Sequence, residues 1–477
     1  MRARSLCSLL AAALLCACAP RGAATRPSIL LVVIDTLRAD AVSAYGEAAE
    51  TTPHLDRLAA EGVLYRHAFA PSPWTLPSHA TLFTGRGLAQ HGVGLHGSMA
   101  LPEEALTLAE RLRAAGYRTA GFSENPLVGR LFGLAQGFEH YRAPTPEAII
   151  AQGGGPVGFD VLAEIRRWAE GTPDARPAFV FVNLFDPHDP YAVRERNPFL
   201  PEGVPAATAR SVARGAPGMC ELLPTPGELA ILGGLYRGEA LAADAKLGSL
   251  QRQVREAVTG SHLITVVTSD HGEHLGEHGI LGHQFSVRNP VLWIPLVVHG
   301  RPGVVPAVIE QPVELANVAG SVLAWSGLRG PDDPTPLPEA PAEAQATPTL
   351  FASYEDAPLE APSKVEAAAE GVGVRVRPTE GKRRDGCRPL DRVFGDTHAL
   401  TRFPFKLIRF AHHPPELYDL SWDPGERSDL AKYRPALVAE LLSELDAHVE
   451  ALDRKPRIPE ATPDEAAEAL RKLGYVE

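Results

Sequence analysis

Pro71-Ser-Pro-Trp-Thr-Leu-Pro-Ser-His-Ala-Thr-Leu-Phe-Thr-Gly-Arg86 is the stretch on which the reading of this chain turns. Pro77 suits the first turn of a helix, where a missing N–H costs nothing, and Gly85 suits the exit from its last turn. Thr75 then sits beside a helix N-terminus, where free backbone N–H groups and the helix dipole favour an anion. An alkoxide nucleophile, or the oxygens of a phosphate or sulfate ester, fits such a place. The plainer reading of the same residues is a proline-capped surface helix with Trp74 buried beneath it.

Working outward, three apolar runs end in residues that carry chemistry. Ser28–Ile34 is a continuous β-branched run, the pattern of a strand buried on both faces of a parallel sheet. Asp35 follows at its carboxyl end, where open α/β sheets bind ligands, although an Asp there also suits a helix cap. Ala178–Phe185 is a second such run, ending in Asp186-Pro-His-Asp-Pro-Tyr191. The prolines pin His188 where a general acid would stand, with Asp186 placed to orient it; a lone His after a strand is also a common structural residue. The third, from His262 to Gly279, delivers Asp270 and His271 at a strand end ahead of Gly-Glu-His-Leu-Gly-Glu-His-Gly. A carboxylate beside an imidazole suits Zn, Mn or a similar divalent ion.

In this order, the segments resemble the sulfatase family of the alkaline phosphatase superfamily. That family's signature runs Cys or Ser, one residue, Pro, one residue and Arg into an Ala-Ser-Leu-Leu-Thr-Gly-like helix. Aligned on Pro77 and Thr84-Gly85, the nucleophile position is Thr75 and the Arg position is His79. The second of the family's paired metal-binding Asp residues is Thr36 here. Its Gly-Lys-Trp-His-Leu-Gly is replaced by Phe122-Ser-Glu-Asn-Pro-Leu127, leaving Asn125 or Glu124 to face the same space. His283 falls near where sulfatases place a Lys against the ester oxygen.

The resemblance covers most of residues 27–432 and implies an α/β fold, an alkaline-phosphatase/sulfatase-like sandwich. A large, mixed, mostly parallel sheet is expected between helices, with a small C-terminal antiparallel sheet carrying a helix. It implies Thr75, His79, His188 and His283 as catalytic residues. It also implies a divalent metal (Ca, Mn, Zn or Mg) on Asp35, Thr75, Asp270 and His271. Sulfatases oxidise their Cys or Ser to formylglycine, and the methyl-bearing carbon of Thr75 has no route to the same gem-diol. A plain alkoxide still attacks phosphorus in line. Relatives resembling phosphoethanolamine transferases and lipoteichoic acid synthases do so from a Thr beside an acidic residue and an Asp-His pair. The expected function is a metal-dependent hydrolase of sulfate or phosphate esters, with phosphate chemically favoured. The alternatives are a transferase of a phospho-group to a cell-envelope acceptor and a non-catalytic binding lipoprotein of the same fold.

The rest of the chain sets bounds. A formal charge of −12 over 477 residues leaves no basic footprint for nucleic acid, and an anionic ester then needs local positive charge such as a metal. Arg2 and Arg4, the apolar Leu6–Leu15 and Leu15-Cys-Ala-Cys18 read as an export signal cleaved before a lipidated Cys18. The expected location is therefore a membrane-anchored lipoprotein, periplasmic or at the cell surface; a plain secretion signal or a membrane helix is the rival reading. With that signal removed, Cys220 and Cys387 are left, open to pairing in an oxidising compartment. Length suggests two domains: residues 27–326 catalytic, 327–348 a Pro/Ala-rich linker or loop, and 349–477 a C-terminal subdomain. Helices are expected over 52–62, 106–116, 228–256 and 435–452, a turn at His91-Gly-Val and a long excursion over 197–227.

Overall fold

The computed structural model describes residues 26–94, 98–146, 148, 159–171, 174–215, 224–258, 261–283, 285–341, 347–355, 395–453, 466 and 468–469. Cys18, Cys220 and Cys387 lie outside them.

The main sheet has eight strands: β1 (Ser28–Ile34), β2 (Val63–Tyr65), β3 (Arg118–Ser123), β4 (His140–Arg142), β5 (Ala178–Leu184), β6 (Leu263–Thr268), β7 (Leu296–His299) and β8 (Ala307–Ile309). Their order is β8-β2-β7-β6-β1-β5-β3-β4. Strand β1 pairs in parallel with β5 and β6, and β3 in parallel with β5 and β4; only β7 runs antiparallel to its neighbours. This is the expected mixed, mostly parallel sheet. Because β1 has helices over both faces, all seven of its residues are buried, which is why its sequence does not alternate.

The period of two is visible instead in which core each residue joins. Ile29, Leu31 and Val33 pack toward α2 (Thr75–Thr84), α3 (Leu108–Ala114) and a later helix, Leu315–Trp325. Leu30, Val32 and Ile34 pack toward α1 (Pro53–Glu61), α4 (Val161–Ala169) and α5 (Pro226–Ala257). The helix Leu315–Trp325 is α6. Helix α5, 32 residues long, opens with a capping box from Thr225 and Glu228. The excursion ahead of it contains a helix, Ala206–Gly215, that the Pro/Gly/Ala composition conceals. His91 closes a four-residue helix rather than a simple turn, its Nε2 3.0 Å from Thr81 Oγ1.

Residues 327–341 lie against α6 and α3. Leu337 is buried, and Arg111 pairs with Asp333 at 2.5 and 2.8 Å. Beyond them a four-stranded antiparallel sheet, β9 (Leu350–Tyr354), β10 (Thr397–Arg402), β11 (Phe405–Phe410) and β12 (Glu416–Asp419), carries α7 (Pro435–Asp453) on one face. Leu400, Leu407 and Leu417 meet Leu441 and Leu445 of α7; Ala399, Ile408 and Tyr418 face the main core. The small sheet touches the Pro71–Arg86 stretch, since Ser353 N–H donates to Pro71 O.

Candidate active site

Every candidate side chain is carried by a strand end, the start of α2, or the hairpin that follows β6. Helix α2 begins at Thr75 after an extended Trp74 and ends at Gly85, whose φ of 67° is the left-handed exit that glycine supplies. Thr75 and His79 are fully buried. Asp35 leaves β1, Asn125 leaves β3, His188 follows β5, and Asp270 and His271 follow β6.

The centre is a ring of Asp35, Asp270 and His271, whose ligand-type atoms lie within 4.8 Å of one another. Asp35 Oδ2 accepts from Asn125 Nδ2 at 2.8 Å and Asn183 Nδ2 at 3.3 Å, while its Oδ1 has no hydrogen-bond partner among the described residues. Asp270 Oδ1 accepts from the N–H of His271 at 3.0 Å and of Thr36 at 3.3 Å; its Oδ2 has none. Burial pushes the Asp270 carboxyl well above the ordinary carboxylate range, and the Asp35 charge adds to it. His271 Nδ1–H donates to Gly272 O at 2.9 Å, which turns the lone pair of Nε2 toward Thr75 Oγ1, 3.5 Å away. Burial, then the neighbouring His283, holds that imidazole well below its ordinary range. Among the described residues, no Lys or Arg pairs with Asp35 or Asp270. Two orphaned buried carboxylate oxygens and a bare imidazole nitrogen form a donor set that suits a divalent cation.

Around this ring stand three more imidazoles. His79 Nδ1 lies 3.0 Å from Thr75 O and 3.5 Å from Asp270 Oδ2. Its pKa is lowered, mainly by burial. His283 Nδ1 meets Glu273 Oε1 at 3.1 Å, and its ring centre is 4.6 Å from that of His271 and 5.1 Å from that of His188. Burial works against its protonation, but the Glu273 carboxylate, with Asp35 and Asp189, outweighs it and raises the pKa. His188 stacks on Phe185, and its Nδ1 lies 2.5 Å from Asp189 O. Burial and His283 lower its pKa.

One expectation is corrected here and one open alternative is resolved. Asp186 does not orient His188: it pairs with Lys246 of α5 at 2.7 Å and with Arg194, just beyond it in the chain, at 3.0 Å. Of the two residues replacing the Lys motif, Asn125 faces the site, whereas Glu124 accepts from Lys246 and from Phe185 N–H. The site also contains residues the sequence reading passed over. Asn183 is an amide set inside an apolar strand; Glu273 sits in the quoted Gly-Glu-His run. Thr36 takes a φ of 56°, a left-handed conformation costly for a β-branched residue, and its buried Oγ1 has no partner.

Comparison with known proteins shows the family. Residues 27–328 match the sulfatase family. The chain belongs to that family. It is 27% identical to the steryl-sulfatase of Mus musculus, over 90% of this chain and 82% of that protein. It is 26% identical to the ulvan-active sulfatase of Formosa agariphila, over 65% of this chain and 63% of that longer protein. The phosphonate monoester hydrolase of Agrobacterium radiobacter shares the fold, with a TM-score of 0.64, 22% identity and coverage of 89% and 96% of the two chains. As a sulfatase-family ester hydrolase, the protein carries Thr75 at the start of α2 and His79 one turn further on.

Proposed function

We propose that this sulfatase-family protein is a metal-dependent hydrolase of sulfate or phosphate esters in which Thr75 is the nucleophile and phosphorus esters are favoured. The observation that carries the reading is the placement of Thr75 Oγ1, buried at the N-terminus of α2 and 3.5 Å from His271 Nε2 beside the Asp35–Asp270 ring. Asp35, Asp270, His271 and Thr75 would hold the cation. A divalent ion there supplies the positive charge that favours an alkoxide and offsets the charge of the ester.

Thr75 Oγ attacks phosphorus opposite the departing oxygen. The Oγ–P bond forms as the P–O bond to the alcohol breaks. The proton that the alcohol needs comes from His283, the imidazole that Glu273 favours in its charged form, and not from His188; His188, with its Nδ1–H on Asp189 O, presents a bare Nε2 that takes the Thr75 hydroxyl proton as the Oγ–P bond forms. Water then attacks phosphorus and gives a proton to His283, the Oγ–P bond breaks, and Thr75 regains its proton from His188 as phosphate leaves. Sulfate esters are the second reading, supported by the names of the curated relatives.

Aryl phosphate monoesters and diesters, alkyl phosphates and aryl sulfates assayed side by side test this. Thr75→Ala should lose on the order of a thousandfold or more, Thr75→Ser should keep part of the rate, and phospho-Thr75 should be trapped at low pH. His283→Gln should lose about a hundredfold on alkyl phosphates and far less on aryl ones, whose leaving group needs no proton. Near-full activity in Thr75→Ala, or efficient arylsulfatase turnover on unmodified Thr75, would overturn the nucleophile.

We also propose export and lipid anchoring at Cys18. No helix among the described residues is long and apolar enough to cross a membrane. Cys18→Ser should leave the protein unprocessed or off the membrane fraction.

A further inference from the structure

The Asp35–Arg38 turn is held by groups other than the ligand-type side chains of the ring. Tyr236, on the inner face of α5 and almost fully buried, donates its hydroxyl to Thr36 O at 2.7 Å and accepts from Arg38 N–H at 2.9 Å. Leu37 N–H donates to Ser269 Oγ at 3.0 Å, tying the turn to the segment just before Asp270. Arg38, 7% exposed, reaches across to the segment just after His271: its Nη1 donates to Glu273 O at 3.0 Å and to Glu277 Oε1 at 2.7 Å. Its Nε and Nη2 are meanwhile forked onto Asp40 at 2.8 and 2.6 Å, which fixes the guanidinium plane. The stem of Arg38 packs on Gly272, where an added Cβ would lie 3.0 Å from Arg38 Cγ and only 2.1 Å from Pro290 O.

We propose that Arg38 and Tyr236 are positioning residues for the metal site: together they clamp the Asp35 turn to the Asp270–His271 segment and so set the spacing of the ring. The inference rests on the reading of Asp35, Asp270 and His271 as metal ligands. The strained φ of Thr36 fits it, because a turn that would relax on its own is kept in place only where its surroundings over-determine it. Ring atoms held to within about half an ångström bind metal well, and partners behind the ligands typically change affinity 10–100-fold.

The test is Mn2+ binding by calorimetry to the chelator-stripped full-length protein, with activity measured against Mn2+ concentration. Tyr236→Phe keeps the buried ring and removes only the hydroxyl; Arg38→Lys keeps the charge and removes the fork. Both should weaken Mn2+ binding about 10–100-fold, with kcat at saturating Mn2+ within about threefold of the parent. Unchanged Mn2+ affinity in both variants overturns the clamp. So does a lowered Tm of the metal-free protein with affinity intact, the signature of a merely structural role. If the parent itself binds no Mn2+, the ligand assignment fails first and the clamp falls with it.

Discussion

At the seam between the main domain and the small sheet, Lys406 and Glu426 are both fully buried and 2.6 Å apart; at the strand ends, Asp35 and Asp270 are just as buried and face each other. Around the seam pair, Arg288 meets Glu416, Tyr418 and, at 3.8 Å, Glu426, while Lys406 also donates to Asn289 Oδ1. Around Asp35 and Asp270 the described partners are amides, peptide N–H groups and imidazoles, with no Lys or Arg. Charge of the same burial thus does two different jobs. In the seam each charge answers another, so the pair costs little and fixes how the small sheet docks. In the ring the carboxylates repel, and that cost is the kind a functional site carries and a cation relieves.

The same change, carboxylate to amide, should therefore have opposite signs in the two places. The largest effect is expected at the seam. Glu426→Gln strands Lys406 in a dry site and should cost about 3–5 kcal/mol in urea unfolding, whereas Lys406→Met with Glu426→Leu should cost far less than either single change. A mild Glu426→Gln would mean the seam is wetter than it looks.

Next comes Asp270→Asn. In chelator-stripped protein it should raise stability by about 0.5–2 kcal/mol, because the Asp35 charge loses its neighbour, while abolishing the rise in Tm that divalent metal gives the parent. Loss of metal-free stability in this variant would show that the ring is not repulsive.

The smallest effect separates a third kind of buried carboxylate. Among the described residues Asp244 has no Lys or Arg partner, but it accepts from the N–H of His54 and of Leu55, both at 2.8 Å, at the start of α1. Burial outweighs these bonds and raises its pKa from 3.8 to about 6. Its contribution to stability is then full below pH 3.8 and lost as the pH rises through about 6. Asp244→Asn should flatten the fall in unfolding free energy across that window; an unchanged slope would place Asp244 with the fully compensated charges.

The sheet and the ring were legible in the sequence for one reason: buried parallel strands write unbroken apolar runs, and their carboxyl ends are where Asp35, His188, Asp270 and His271 had to fall. Thr75 was readable because Pro77 and Gly85 mark both ends of its helix. What could not be read were partners supplied from far along the chain. Asp186 sits two residues from His188, yet Lys246 of α5 takes it, with Arg194 joining from just beyond, since ion pairing follows space and not sequence order. Asn183 was hidden as one polar letter in an apolar strand, and Tyr236 and Arg38 as an ordinary helix residue and an ordinary surface-type charge. The helix Ala206–Gly215 was masked by loop-like composition.

One element gathers these long-range partners. On α5, Tyr236 holds the Asp35 turn, Glu239 pairs with Arg194, Asp244 caps α1 and Lys246 joins Glu124 to Asp186. A helix turns about 100° and advances about 1.5 Å per residue, so one residue inserted between positions 236 and 246 would swing one end of this set out of register with the other. The consequence is one of inheritance: a helix from which no proposed ligand or nucleophile comes is where this chain can least afford a change of length.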